Sequence, residues 1–175
     1  MGPRFEVNAS AGSFEFPFTD QGMTGNAIYK RLQVHDEDLD PVLNPGALYF
    51  IEGQQIAADD GAAGMLDNNA SHRQVAVTGG EGVFNLVMVG PTVQRLPAIR
   101  AWAAIEQDVL LETVDVEDDG RLFVASKATP LGGGMWRYEY AVHNLNSHRT
   151  AGSVGVPISS GALVTGVVRD VMTTP

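Results

Sequence analysis

The sequence has no cysteine. That excludes disulfides and thiolate metal sites, so stability must come from burial and hydrogen bonding. Cations are also scarce: 11 lysines and arginines stand against 21 aspartates and glutamates, giving a formal net charge of −10. Nucleic-acid binding draws on a basic face that displaces counterions from phosphates, and so few cations cannot build one. Anionic lipid surfaces are set aside on the same ground. No apolar run approaches the roughly 20 residues of a transmembrane helix, so no membrane insertion is expected. Met1-Gly2-Pro3-Arg4-Phe5 lacks the apolar core of a secretory signal. An export signal, if the protein is exported, lies outside this chain.

What is present points to strands. The apolar fraction is 44%, enough to bury a core, and the 20 glycines punctuate the chain at short intervals. Strands are expected over Arg4–Asn8, Ala27–Val34, Ala47–Ile56, His72–Thr78, Val83–Val89, Val109–Val116, Arg121–Ser126, Ser153–Ile158 and Ala162–Val168, while Ser13–Phe18, which aligns Phe14, Phe16 and Phe18, is demoted by Pro17 to an edge strand or a loop. Gly79–Gly82 and Asp118-Asp119-Gly120 read as hairpin turns. Pro97–Gln107 is the one expected helix, with Pro97 at its first position and Ile99 and Trp102 facing the core. Gly134–Asn146 is the clearest strand. Trp136, Tyr138, Tyr140 and Val142 alternate with Arg137, Glu139, Ala141 and His143. The aromatic set is expected in the core and the other set outward. The fold class is all-β: an immunoglobulin-like or jelly-roll β-sandwich with one short helix, in a single domain over residues 1–175.

The stretch Trp136–Ser147, "WRYEYAVHNLNS", followed by "SVGVPI", resembles large secreted proteins of environmental, planctomycete-type bacteria. The segments "GPRFEVN", "RLQVHDEDLDPVLNPGALYF" and "LPAIRAW" look like the same family. The resemblance covers most of the chain and implies a secreted or extracellular setting. It implies no particular activity. Such proteins are longer at both ends, so the chain reads as a fragment, whose open sheet edge could pair two copies into a homodimer.

Three constellations could carry chemistry. Asp36, Asp38 and Asp40, with Glu37 and Asn44 nearby, form one acidic loop; Asp59, Asp60, Asp67, Asn68 and Asn69 form a second. Calcium takes six to eight oxygen ligands, and the two loops together could enclose one ion. No EF-hand spacing is present, and solvated acidic loops are the plainer reading. His143 and His148, beside Ser147 and with Ser159 in a following turn, are candidates for a Ser/His pair. There is no Gly-x-Ser-x-Gly elbow and no zinc-hydrolase signature. The Trp136–Tyr138–Tyr140 row is a sugar-stacking platform if exposed.

The function expected first is an extracellular, non-catalytic module, calcium-stabilised between the acidic loops. The alternative is a metal-assisted or Ser/His hydrolase of small esters or lactones, such as acyl-homoserine lactones. The second alternative is a carbohydrate-binding module.

Overall fold

Runs in which apolar and polar residues alternate form strands here, because a pleated backbone sends successive side chains to opposite faces. The computed structural model describes residues 6–19, 22, 24–25 and 34–168. Their elements are β1 (Val7–Asn8), β2 (Ser13–Phe14), α1 (Asp36–Leu39), β3 (Tyr49–Gln54), α2 (Ala58–Ala62), β4 (Ala70–Thr78), β5 (Asn85–Val93), α3 (Ile99–Ile105), β6 (Leu110–Asp115), β7 (Arg121–Gly132) and β8 (Met135–Asn144). The chain is all-β. Its expected helix is α3, and two shorter helices and a 3-10 turn at Leu66–Asn68 accompany it. Among the described residues no helix is long and apolar enough to cross a membrane.

β1 and β2 form a small ribbon, β3-β4-β5 one antiparallel sheet and β6-β7-β8 another. Both larger sheets are meanders, each strand pairing with its neighbour in sequence. The core lies between them: Ala70 of β4, Phe123 of β7 and Leu145 after β8, with Ile99 of α3 and Leu111 of β6 packed against the group.

The register decides which face of β8 is buried. Phe123 stands opposite His143, and Ala125 opposite Leu111 and Ala141. These residues share the inner face. Trp136, Tyr138, Tyr140 and Val142 share the outer one with Pro130, Ala128, Ser126 and Val124. This corrects the expectation that the aromatics are core: Trp136, Tyr138 and Tyr140 are 53%, 59% and 45% exposed. The physical reason is which face meets the other sheet: Phe123, on the inner face, packs against Ala70 of β4, while Tyr140 and Val142 stay exposed even where β6 extends the sheet beside Ser126 and Val124. Alternation distinguishes two faces but does not say which one another layer covers.

Two further strands are also corrected. Ser153–Ile158 and Ala162–Val168 are exposed and unpaired, with only a turn in which Ala162 N donates to Ser159 O at 3.1 Å. β2 is shorter than Ser13–Phe18, although Phe14, Phe16 and Phe18 still meet, with centroids 6.0 and 5.9 Å apart. The strand expected over Ala27–Val34 lies outside the described residues except for Val34, which is in no strand.

The Asp-Gly hairpin signal is correct for an unexpected reason. Asp118 holds the left-handed conformation, φ 56°, which Asp tolerates. Gly120 is required by close approach: a Cβ there would lie 2.7 Å from Ser147 N and 2.8 Å from the Asn146 carbonyl. Gly120→Ala must therefore push the loop after β8 off the hairpin. We expect a loss of about 1–3 kcal/mol, the usual range for overpacking. It would be read as a lower urea midpoint at unchanged slope. A midpoint equal to that of the native chain would show that the loop does not pack there.

Candidate functional site

Glu52 is the only acid in β3 and stands directly opposite His72 of β4. Its carboxylate reaches across to the other sheet. His143 Nε2 lies 3.0 and 3.1 Å from its two oxygens, and Ala98 N–H donates to Oε2 at 2.6 Å. His72 is buried, with Nδ1 2.9 Å from the Leu96 carbonyl oxygen, so that nitrogen carries the proton. Burial pushes the Glu52 pKa up, but the hydrogen bonds from His143 and Ala98 and the charges of His143 and His72 outweigh it. The pKa is lowered. His143 Nδ1 is buried without a partner. A carboxylate that orients an imidazole is a component of acid–base catalysis. Here the pair joins β3 to β8 across the seam between the sheets.

The chain also forms a cleft of about 630 Å³ at one end of the β3-β4-β5 sheet. Gln54, Gln55, Asn68, Asn69, Gln94 and Arg95 line it, and Glu52, His72 and His143 do not. The cleft thus offers amides, the Ser71 and Thr92 hydroxyls and one guanidinium, with no imidazole or carboxylate to act as a base for a hydroxyl.

Ser147 and His148 lie in a loop built around Asp119. Ser147 Oγ donates to Asp119 and contacts the Arg149 carbonyl. His148 N and Arg149 N donate to the same carboxylate at 2.8 and 3.1 Å. Asn144 Oδ1 accepts from Ser147 N at 2.8 Å, and Asn146 Oδ1 accepts from Arg121 N at 2.7 Å. Ser147 is buried and His148 exposed. Among the described residues no hydrogen bond joins either serine candidate, Ser147 or Ser159, to an imidazole. His143 belongs to the Glu52 seam, so the structure does not bring His143, His148, Ser147 and Ser159 into one group.

The hydroxyl of Ser147, followed by the N–H groups of Arg149 and His148, holds the Asp119 pKa down to about 2. A carboxylate with a depressed folded pKa contributes stability above its unfolded value, and that contribution is lost as pH falls through the folded value. Asp119→Asn should therefore melt lower than the native chain at pH 7, and the two melting midpoints should converge between about pH 4 and pH 2. A difference that stayed constant down to pH 2 would refute the role given to this charge.

The acidic loops lie at opposite ends of β3. Tyr49 OH, at its start, donates to Asp38 O, and Gly82 N donates to Asp36 Oδ2 at 2.9 Å. At its end, Asn69 O accepts from Gln55 N, and Asn69 Nδ2 donates to Asp60 Oδ2 at 3.1 Å. Six residues of strand separate them, about 17 Å at the usual rise. Asp40 Oδ1 accepts from Val42 N, Asp59 Oδ1 accepts from Asp60 N, and Asp67 pairs with Arg121 at 2.7 Å. Asp36, Asp38 and Asp40 therefore do not meet Asp59, Asp60, Asp67 and Asn69. Among the described residues no three His, Asp or Glu side chains converge as a metal-ligand group.

Sequence reasoning missed Glu52. Its signal was a lone carboxylate within an apolar strand, two residues from Phe50 and so on the same face. Fold and site together define an all-β chain of two antiparallel meanders, locked by a carboxylate–histidine seam. No family model, curated protein or solved structure matches it.

Proposed function

We propose that the chain is a non-catalytic module of an exported bacterial protein, working through contact rather than turnover. The open aromatic row of β8, Trp136, Tyr138 and Tyr140, carries this reading. Exposed, aligned aromatics supply large contact area at low entropic cost. The engagement of Ser147 by Asp119 and of His143 by Glu52 supports it, since both side chains are used as ties within the fold. Any stabilising calcium ion in this reading belongs to one acidic loop rather than to both. A melting midpoint that rises with calcium and falls with chelator would support such an ion, and an unmoved midpoint would set it aside.

The test against the hydrolase alternative is direct. The chain is assayed on short-chain nitrophenyl esters and acyl-homoserine lactones, with and without added divalent metal. The expected rate equals that of a chain carrying His143→Ala, Ser147→Ala and His148→Ala. Saturable turnover that disappears in those variants would overturn the proposal.

A further inference from the structure

We propose that the partner of this module is a second copy of the chain, held by reciprocal exchange. Ser153–Ile158 of each copy adds as a strand to the free edge of β8 in the other and lies beside its aromatic row. The inference rests on the contact-module reading above and names its partner.

Exposed apolar side chains flank both the acceptor edge and the donor segment. Leu131, Met135, Trp136, Tyr138, Tyr140 and Val142 are exposed around β8, and Val154, Val156 and Ile158 are exposed in the donor segment. β8 is ten residues long, ends its sheet, and carries no proline or lysine to block pairing.

The donor has the pattern of a strand. Val154, Val156 and Ile158 alternate with Ser153, Gly155 and Pro157. Backbone groups of alternate residues point to opposite sides of a strand. If Val154, Val156 and Ile158 bond to β8, Pro157 lies on the outer side, where its missing N–H costs nothing. It also blocks a further strand, so exchange closes at two copies.

The same chain cannot easily serve itself. After β8, Leu145 N donates to Arg121 O, and Ser147, His148 and Arg149 bind Asp119 in the β6–β7 turn. The segment thus crosses the start of β7 toward β6, away from the open edge of β8.

Sedimentation velocity over 0.5–50 μM, on the order of ordinary dimer affinities, tests this. A dimer is expected. Val154→Asp with Val156→Asp removes the donor, and Tyr138→Asp the acceptor. Each variant alone should dimerise at least tenfold more weakly. Donor residues are exposed and unpaired within one chain, so that variant stays folded, and its melting midpoint, unlike that of the native dimer, does not rise with protein concentration. Mixing the two variants leaves one intact donor and one intact acceptor, and should restore a heterodimer. A native chain that stays monomeric, a dimer indifferent to the donor change, or a mixture that fails to recover overturns the proposal. So does saturable binding of soluble β-glucan to a monomer that Tyr138→Asp abolishes, since the row would then serve a saccharide. None of these results produces ester turnover, so failure here is distinct from failure of the contact-module reading.

Discussion

Phe123→Ala is expected to lower stability by about 3–5 kcal/mol, the range for truncating a buried aromatic. Among the described residues nine hydrophobic side chains are buried, three of them alanines, and Phe123 is the only aromatic. It is 2% exposed and touches both remaining members of the central group, Ala70 and Leu145. The Arg100 guanidinium lies 5.0 Å above its ring, and the His143 ring is 6.3 Å away. Truncation would leave Leu145, Ile99 and Leu111 facing a cavity in place of the ring. Small domains are stable by about 5–15 kcal/mol, and so few buried side chains place this chain at the low end. Phe123→Ala should therefore be largely unfolded at room temperature by near-ultraviolet circular dichroism. Phe123→Leu, which keeps most of the volume, should remain folded with a loss of about 1–2 kcal/mol. Equal urea midpoints for Phe123→Ala and the native chain would place the core elsewhere.

The chain's strands and turns were largely legible because they depend on local chemistry. Asp118-Asp119-Gly120 turns β6 into β7, Gly79–Gly82 turns β4 into β5, and Pro97 precedes α3. What failed depends on long-range packing. In Arg121–Ser126, Leu122 and Val124 alternate with Phe123 and Ala125, so both faces of β7 are apolar. Nothing local tells which one meets β4. Once Phe123 turns inward, pairing sends His143 inward and Tyr140 outward. Ser153–Ile158 has a strand's pattern without a strand's partner, and pairing cannot be read from alternation. Glu52 was hidden for a similar reason. A carboxylate within Tyr49–Gln54 is unfavourable unless His143, 91 residues away, arrives to meet it. The acidic loops were paired in the sequence reading because both are acidic, whereas β3 holds their ends apart.

Glu52→Ala is the second large loss expected, about 2–4 kcal/mol. It leaves Ala98 N–H and His143 Nε2 without their acceptor at a partly buried seam. Glu52→Gln keeps the shape and one acceptor oxygen, and should lose less. A double-mutant cycle with His143→Ala isolates the pair, and a coupling of about 1–3 kcal/mol is expected near neutral pH. The pH dependence has a definite sign. The folded pKa of Glu52 lies below its ordinary value of 4.5, so the charge contributes fully above that value. The contribution fades as pH falls through 4.5 and on through the folded pKa. The gap between native and Glu52→Gln midpoints should be widest near neutrality and close in acid. A coupling near zero at pH 7 would mean that the seam does not form in solution. The seam also bears on the outer face. His143 is the residue after Val142, so the tie that fixes β8 to β3 holds the strand that presents Tyr140 and Tyr138. Acid that protonates Glu52 should therefore weaken its hold on both β8, through His143, and the start of α3, through Ala98 N–H.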